Sequence, residues 1–87
     1  MRWQGEELQV VRKYYQDASP CIELWAEDGP YAVATCWVPG LRPGEVAIKD
    51  WTENEGILEV LIGAGVVAPP HRLIPTGFVQ AKVCVLL

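Results

Sequence analysis

The sequence predicts an α+β domain of two layers, an antiparallel sheet of about four to five strands with one helix packed on one face. Three observations predict it. Several short runs alternate apolar and polar residues between Gly-, Pro- and Asp-rich breaks, which is the period of a strand. Only one stretch, Ile57 to Ile62, carries apolar residues at helical spacing. The chain has 87 residues, so it forms a single domain, residues 1–87, around one thin core.

Residues 7–15 (ELQVVRKYY) mix β-branched and aromatic with polar residues and read as a first strand. QDASP (16–20) is a turn, because Asp, Ser and Pro each favour turn geometry. CIELWAE (21–27) alternates, with Ile22, Leu24 and Ala26 on one face and Cys21, Glu23, Trp25 and Glu27 on the other. Asp28–Gly29 then signals a hairpin, and YAVATCWV (31–38) is its returning strand. On that strand Ala32, Ala34, Cys36 and Val38 form a small apolar face suited to a closely packed helix. Tyr31, Val33, Thr35 and Trp37 lie opposite. PGLRPG (39–44) is a loop and EVAIK (45–49) a short extended segment. Residues 63–77 read as an irregular crossing, and FVQAKVCVLL (78–87) as a closing strand.

The helix start is the most charged part of the chain. DWTENEGILEVL (50–61) holds four carboxylates and a tryptophan. Thr52 followed by Glu55 matches a capping box, and Asp50, Glu53 and Glu55 each favour the helix dipole by ~0.3–1 kcal/mol. Ile57, Leu58, Leu61 and Ile62 form the buried face, and Gly65 is the expected left-handed cap. Capping does not require Glu59, which repeats the charge of Glu55 four residues on. No Lys or Arg between positions 50 and 65 offsets the pair. Asp50, Glu53, Glu55 and Glu59, with Trp51 beside them, are therefore a candidate acidic docking face.

The other candidate is the aromatic sheet face of Trp25, Tyr31 and Trp37. With the helix on one side of the sheet, these rings meet solvent, a protein partner or a second copy of the chain.

Chemistry-bearing motifs are scarce. The net charge of −4 and the scattered seven Lys and Arg argue against direct nucleic-acid binding and fit a partner with a basic surface. Cys21, Cys36 and Cys84 are odd in number and lack C-x-x-C spacing, so they read as small buried hydrophobes. The single histidine, His71, reads as a loop residue without a role. Cys84 to Leu87 formally match a prenylation signal, yet Cys84 continues the alternation of the last strand. No catalytic residue, metal ligand or cofactor is expected. No apolar run reaches ~18 residues and no apolar signal core opens the chain, which sets the expectation of a cytoplasmic protein away from membranes.

GPYAVATCWVPGL (29–41), EVAIKDWTENEGILEVLIGAGVV (45–67) and PTGFVQAKVCVL (75–86) resemble a family of small bacterial proteins borne on plasmids, phages and other mobile elements. The ENEG helix start and the PTGFV before the last strand are the most specific features. The first 20 residues add nothing to the likeness. The resemblance implies a setting, an accessory protein of a mobile element in a bacterial host. In size, charge and setting the chain is also similar to anti-CRISPR proteins. The expectation is a non-enzymatic inhibitor that docks on a subunit of a CRISPR effector or another nucleic-acid-binding defence complex. The alternative is a homodimeric adaptor.

Overall fold

The computed structural model describes residues 1–87 and contains nine strands, one 3-10 turn and one α-helix. The strands fall into three antiparallel sheets. β1 (Arg2–Trp3) and β2 (Glu6–Glu7) form a small hairpin. Its turn residues Gln4 and Gly5 both take positive φ, 53° and 76°, as two-residue hairpin turns demand. β3 (Gln9–Tyr14), β4 (Pro20–Ala26) and β5 (Gly29–Val33) form a meander with β4 at its centre. β6 (Thr35–Cys36), β7 (Glu45–Ile48), β8 (Arg72–Pro75) and β9 (Gln80–Val85) make a four-stranded sheet in the order β6-β7-β9-β8.

The expected single sheet is thus divided, and the division falls at one residue. The Ala34 N–H donates to the Ile22 carbonyl (2.9 Å), a β4 group, while its own carbonyl accepts from the Lys49 N–H (2.8 Å) beyond β7. The returning strand therefore leaves one sheet and enters the other at Ala34, which is fully buried. A methyl side chain is what the inside of such a corner can hold. The expected first strand is likewise broken, because Leu8 turns into the core between β2 and β3.

Two clusters fill the interior. The larger lies between Ile22 and Leu24 of β4, Val46, Ile48 and Cys84 of β7 and β9, and the helix, closed by Trp3, Leu8, Val66 and Val67. The smaller, around Val38, Ala47 and Ala81, receives Leu41, Trp51 and Ile74. Ala47 alternates with Val46 and Ile48, so β7 is covered on both faces and all four of its residues are buried. Cys84 of β9 is buried in the larger cluster, the small hydrophobe that its apolar run predicts.

The helix α1 (Ile57–Gly63) is two turns long and presents Ile57, Leu58 and Leu61 to the core, as its spacing predicts. Its end is a Schellman motif. Gly65, at φ 73°, donates to the Ile62 carbonyl (3.0 Å), and Val66 donates to that of Leu61 (3.0 Å). Its start differs from the expected box. Thr52–Asn54 form a separate 3-10 turn, Thr52 has φ 52°, and Gly56 at φ 89° precedes the helix. The side chain that serves the first turn is Asp50, whose Oδ1 accepts the Gly56 N–H at 2.8 Å.

β8 lies inside the segment expected to be irregular. Pro69 and Pro70 before it and Pro75 at its end hid it, and Pro75 is tolerated because β8 is an edge strand paired only with β9. No helix is long and apolar enough to cross a membrane.

Candidate functional site

The outer face of the β3-β4-β5 sheet is where two of the three predicted aromatics meet. Trp25 and Tyr31 line an open cavity of about 310 Å³ with Lys13, Glu23, Pro30 and Val33. Each ring is fixed. The Trp25 indole N–H donates to Glu23 Oε1 (2.9 Å), and Lys13 Nζ sits 5.5 Å above the ring while pairing with the same carboxylate at 3.0 Å. Tyr31 packs edge-on against the buried Trp3, with ring centroids 6.1 Å apart and planes at 82°. Its hydroxyl donates to Gln4 Oε1 at 2.9 Å. Val33 stands exposed between the tyrosine and the corner.

Trp37 does not share this face. Thr35 has the same strand parity as Tyr31 and Trp37, yet it is buried, with its Oγ1 3.0 Å from the Tyr15 hydroxyl and accepting the Ile22 N–H at 3.2 Å. Beyond it Trp37 turns to the β3–β4 turn and donates its indole N–H to Asp17 Oδ2 (2.9 Å).

The acidic residues divide as well. Glu53 is paired with Lys49 four residues before it (2.8 Å) and accepts the Thr52 hydroxyl. These contacts hold its carboxyl down at about 2. Asp50 is largely covered and lies 3.6 Å from Lys82. The expectation of a face without counter-charge is therefore corrected at these two positions. The offsetting lysines come from positions 49 and 82, outside the helix segment. Glu55 and Glu59 are exposed and stand outside every ion pair. Trp51 is half-buried and packs on the smaller core cluster.

What joins the two predicted surfaces is a residue that sequence reasoning missed. Gln4 accepts from the Tyr31 hydroxyl and, through Nε2, donates to the Glu53 carbonyl at 3.3 Å. A second tie runs beneath it, from Asn54 Nδ2 to the Val33 carbonyl at 2.7 Å, and Asn54 is buried. The 3-10 turn, the β1–β2 turn and β5 are thereby held as one surface that runs from Trp25 through Tyr31 and Val33 to Glu53. A glutamine in a QG turn gives no sequence signal for this, since its partners lie 27 and 49 positions away.

A third cluster was also unforeseen. Glu45 is only 3% exposed and its carboxylate accepts four hydrogen bonds. Arg72 supplies two, Nη2 to Oε1 at 2.6 Å and Nε to Oε2 at 3.1 Å; the Arg42 N–H reaches Oε1 at 2.8 Å. His71 Nε2 lies 2.5 Å from Oε2. The Arg72 guanidinium, with the backbone N–H and His71, holds the Glu45 carboxyl far below the usual carboxylate range. An ionised carboxylate only accepts, so His71 carries its proton on Nε2. His71 is thus a structural partner and not an idle loop residue. The cluster ties the 39–44 loop to β8, where Arg72 also donates to the Gly40 carbonyl (2.8 Å).

The cysteines are free. Burial pushes the Cys84 thiol up to about 11 and raises that of Cys36, which suppresses thiolate chemistry at both. No three His, Cys, Asp or Glu side chains converge in a metal-holding group. Compared with known proteins, the chain matches no family model, no curated protein and no solved structure.

Proposed function

We propose that the protein is a non-enzymatic, protein-binding inhibitor that docks on the basic surface of a host nucleic-acid-binding defence complex, a CRISPR effector subunit foremost. The observation that carries this reading is the continuity of the aromatic and acidic surfaces through Gln4. Lys and Arg that hold a nucleic-acid backbone form a surface that is cationic at its rim and offers aliphatic stems between the charges. A binder of such a surface needs carboxylates for steering and rigid rings for anchorage, side by side. Tyr31 and Trp25 serve as the anchors, and both are held in place before binding. Glu55 and Glu59 supply free charge at the border, with Glu53 exchanging its Lys49 partner for one on the effector.

Reversing the charge of Glu53, Glu55 and Glu59 to lysine tests the reading. All three side chains are exposed, so the fold survives. Binding to the effector is expected to fall at least tenfold, an order of magnitude set by three lost or inverted interface charges. Unchanged binding removes acidic docking from the account. The homodimeric adaptor is separated by the same variants, which leave a self-association through the aromatic face intact while Tyr31→Ala dissolves it.

A further inference from the structure

We infer that the recess formed by Tyr15, Asp17 and Trp37 binds an alkylammonium cation, the head group of a lysine side chain or of a small quaternary amine. It shares no residue with the Trp25–Tyr31 surface and stands independently of the function proposed above. The recess is an open cavity of about 360 Å³ with only four residues in its wall, Tyr15, Gln16, Asp17 and Trp37. Two aromatic rings and one carboxylate are the groups that recognise an alkylammonium cation. The rings offer the negative faces of their quadrupoles and the carboxylate offers a full charge.

Three features favour this ligand over others. The recess is organised in advance: Trp37 donates to Asp17 Oδ2 at 2.9 Å, Ser19 holds Oδ1 through its N–H (3.0 Å) and hydroxyl (2.5 Å), and Tyr15 is tied to Thr35. Trp37 remains 52% exposed although it is fixed, which is unlike a ring placed there to fill a core. Its only hydrogen-bond donor is already used by Asp17, so it has no N–H left for an incoming group, which meets the ring itself. Finally, Asp17 takes part in none of the five ion pairs of the protein, so its charge is uncompensated. Its hydrogen bonds from Ser19 and Trp37 hold its carboxyl at about 2, which keeps it ionised at neutral pH. Asp17 also borders a second cleft of about 530 Å³ between Tyr14, Pro20, Leu41 and Pro43, with room for the chain that carries the ammonium.

The test is a ¹⁵N–¹H titration of the full chain that follows the Trp37 indole N–H. Choline chloride, N-acetyl-lysine methylamide and the neutral choline isostere 3,3-dimethylbutan-1-ol are added separately at constant ionic strength. Saturable shifts of Trp37 and of the Asp17 and Ser19 amides are expected with at least one of the two cations. The isostere is expected to bind at least about tenfold more weakly. The tighter cation identifies the source, a free quaternary amine or a lysine side chain. Asp17→Asn is expected to weaken binding about tenfold, and Trp37→Leu to abolish it while the other three indole signals keep their positions. Absence of saturation with both cations, equal affinity for the neutral isostere, or unchanged binding in both variants overturns the inference.

Discussion

Glu45→Gln isolates the one buried charge of the protein with almost no change of shape. The carboxylate receives donors on both oxygens, Arg72 and the Arg42 N–H on Oε1, Arg72 and His71 on Oε2. A glutamine presents one oxygen and one NH₂, so whichever way it turns, its NH₂ confronts two donors. Hydrogen bonds to a charged group contribute ~1.5–3 kcal/mol each. Two such bonds sum to ~3–6 kcal/mol, and Arg72 and His71 both reach solvent and can be rehydrated, so the lower end of that range applies, about 3 kcal/mol. For a domain of this size that lowers Tm by about 15 °C. The pH dependence has a definite sign. The folded-state pKa of Glu45 is depressed, so its contribution is present above the unfolded value near ~4.3 and is lost as pH falls below it toward the folded pKa. Thermal unfolding followed by circular dichroism should therefore show the largest gap between wild type and Glu45→Gln at pH 6–7, and a shrinking gap below about pH 4. A gap under about 0.5 kcal/mol at pH 7, or one that acid does not reduce, refutes the assignment of Glu45 as a charged structural hub.

Other perturbations separate the core from the surface. Leu61→Ala empties a fully buried position where the helix meets the larger cluster and should cost about 3 kcal/mol in urea unfolding. Gly65→Ala forces a Cβ into φ 73° with open space around it, so the cost is conformational alone, about 1 kcal/mol, and the midpoint of the urea transition reports it. Tyr31→Ala removes an exposed anchor together with its contact to Trp3. Stability should change little, and effector affinity measured by interferometry should fall about tenfold or more.

The sequence disclosed the elements better than their assembly. Residues 21–27 and the apolar face of residues 57–62 were legible because both periods are local. The capping box was misleading for a physical reason. Thr52 and Glu55 have the right spacing, but Gly56 between Glu55 and the helix takes φ 89°, and Asp50 captures its N–H. β8 was hidden by Pro69 and Pro70 ahead of it and by Pro75, which an edge strand tolerates. Trp25, Tyr31 and Trp37 share one face only on an unbroken strand, and the strand breaks at Ala34, where one run of alternating residues serves two sheets. Glu45 and Gln4 were invisible because hydrogen-bond partners 26 to 49 positions away leave no periodicity.

Size-exclusion chromatography with light scattering, on the protein mixed with purified CRISPR effector complexes with and without target DNA, tests the proposed function most directly. Stable co-elution at the summed mass, with DNA excluded from the complex and with co-elution lost in the Glu53, Glu55 and Glu59 charge-reversal variant, is the expected result. Elution of the protein apart from every effector, at the mass of a dimer of this chain, contradicts the inhibitor reading and assigns the aromatic face to self-association.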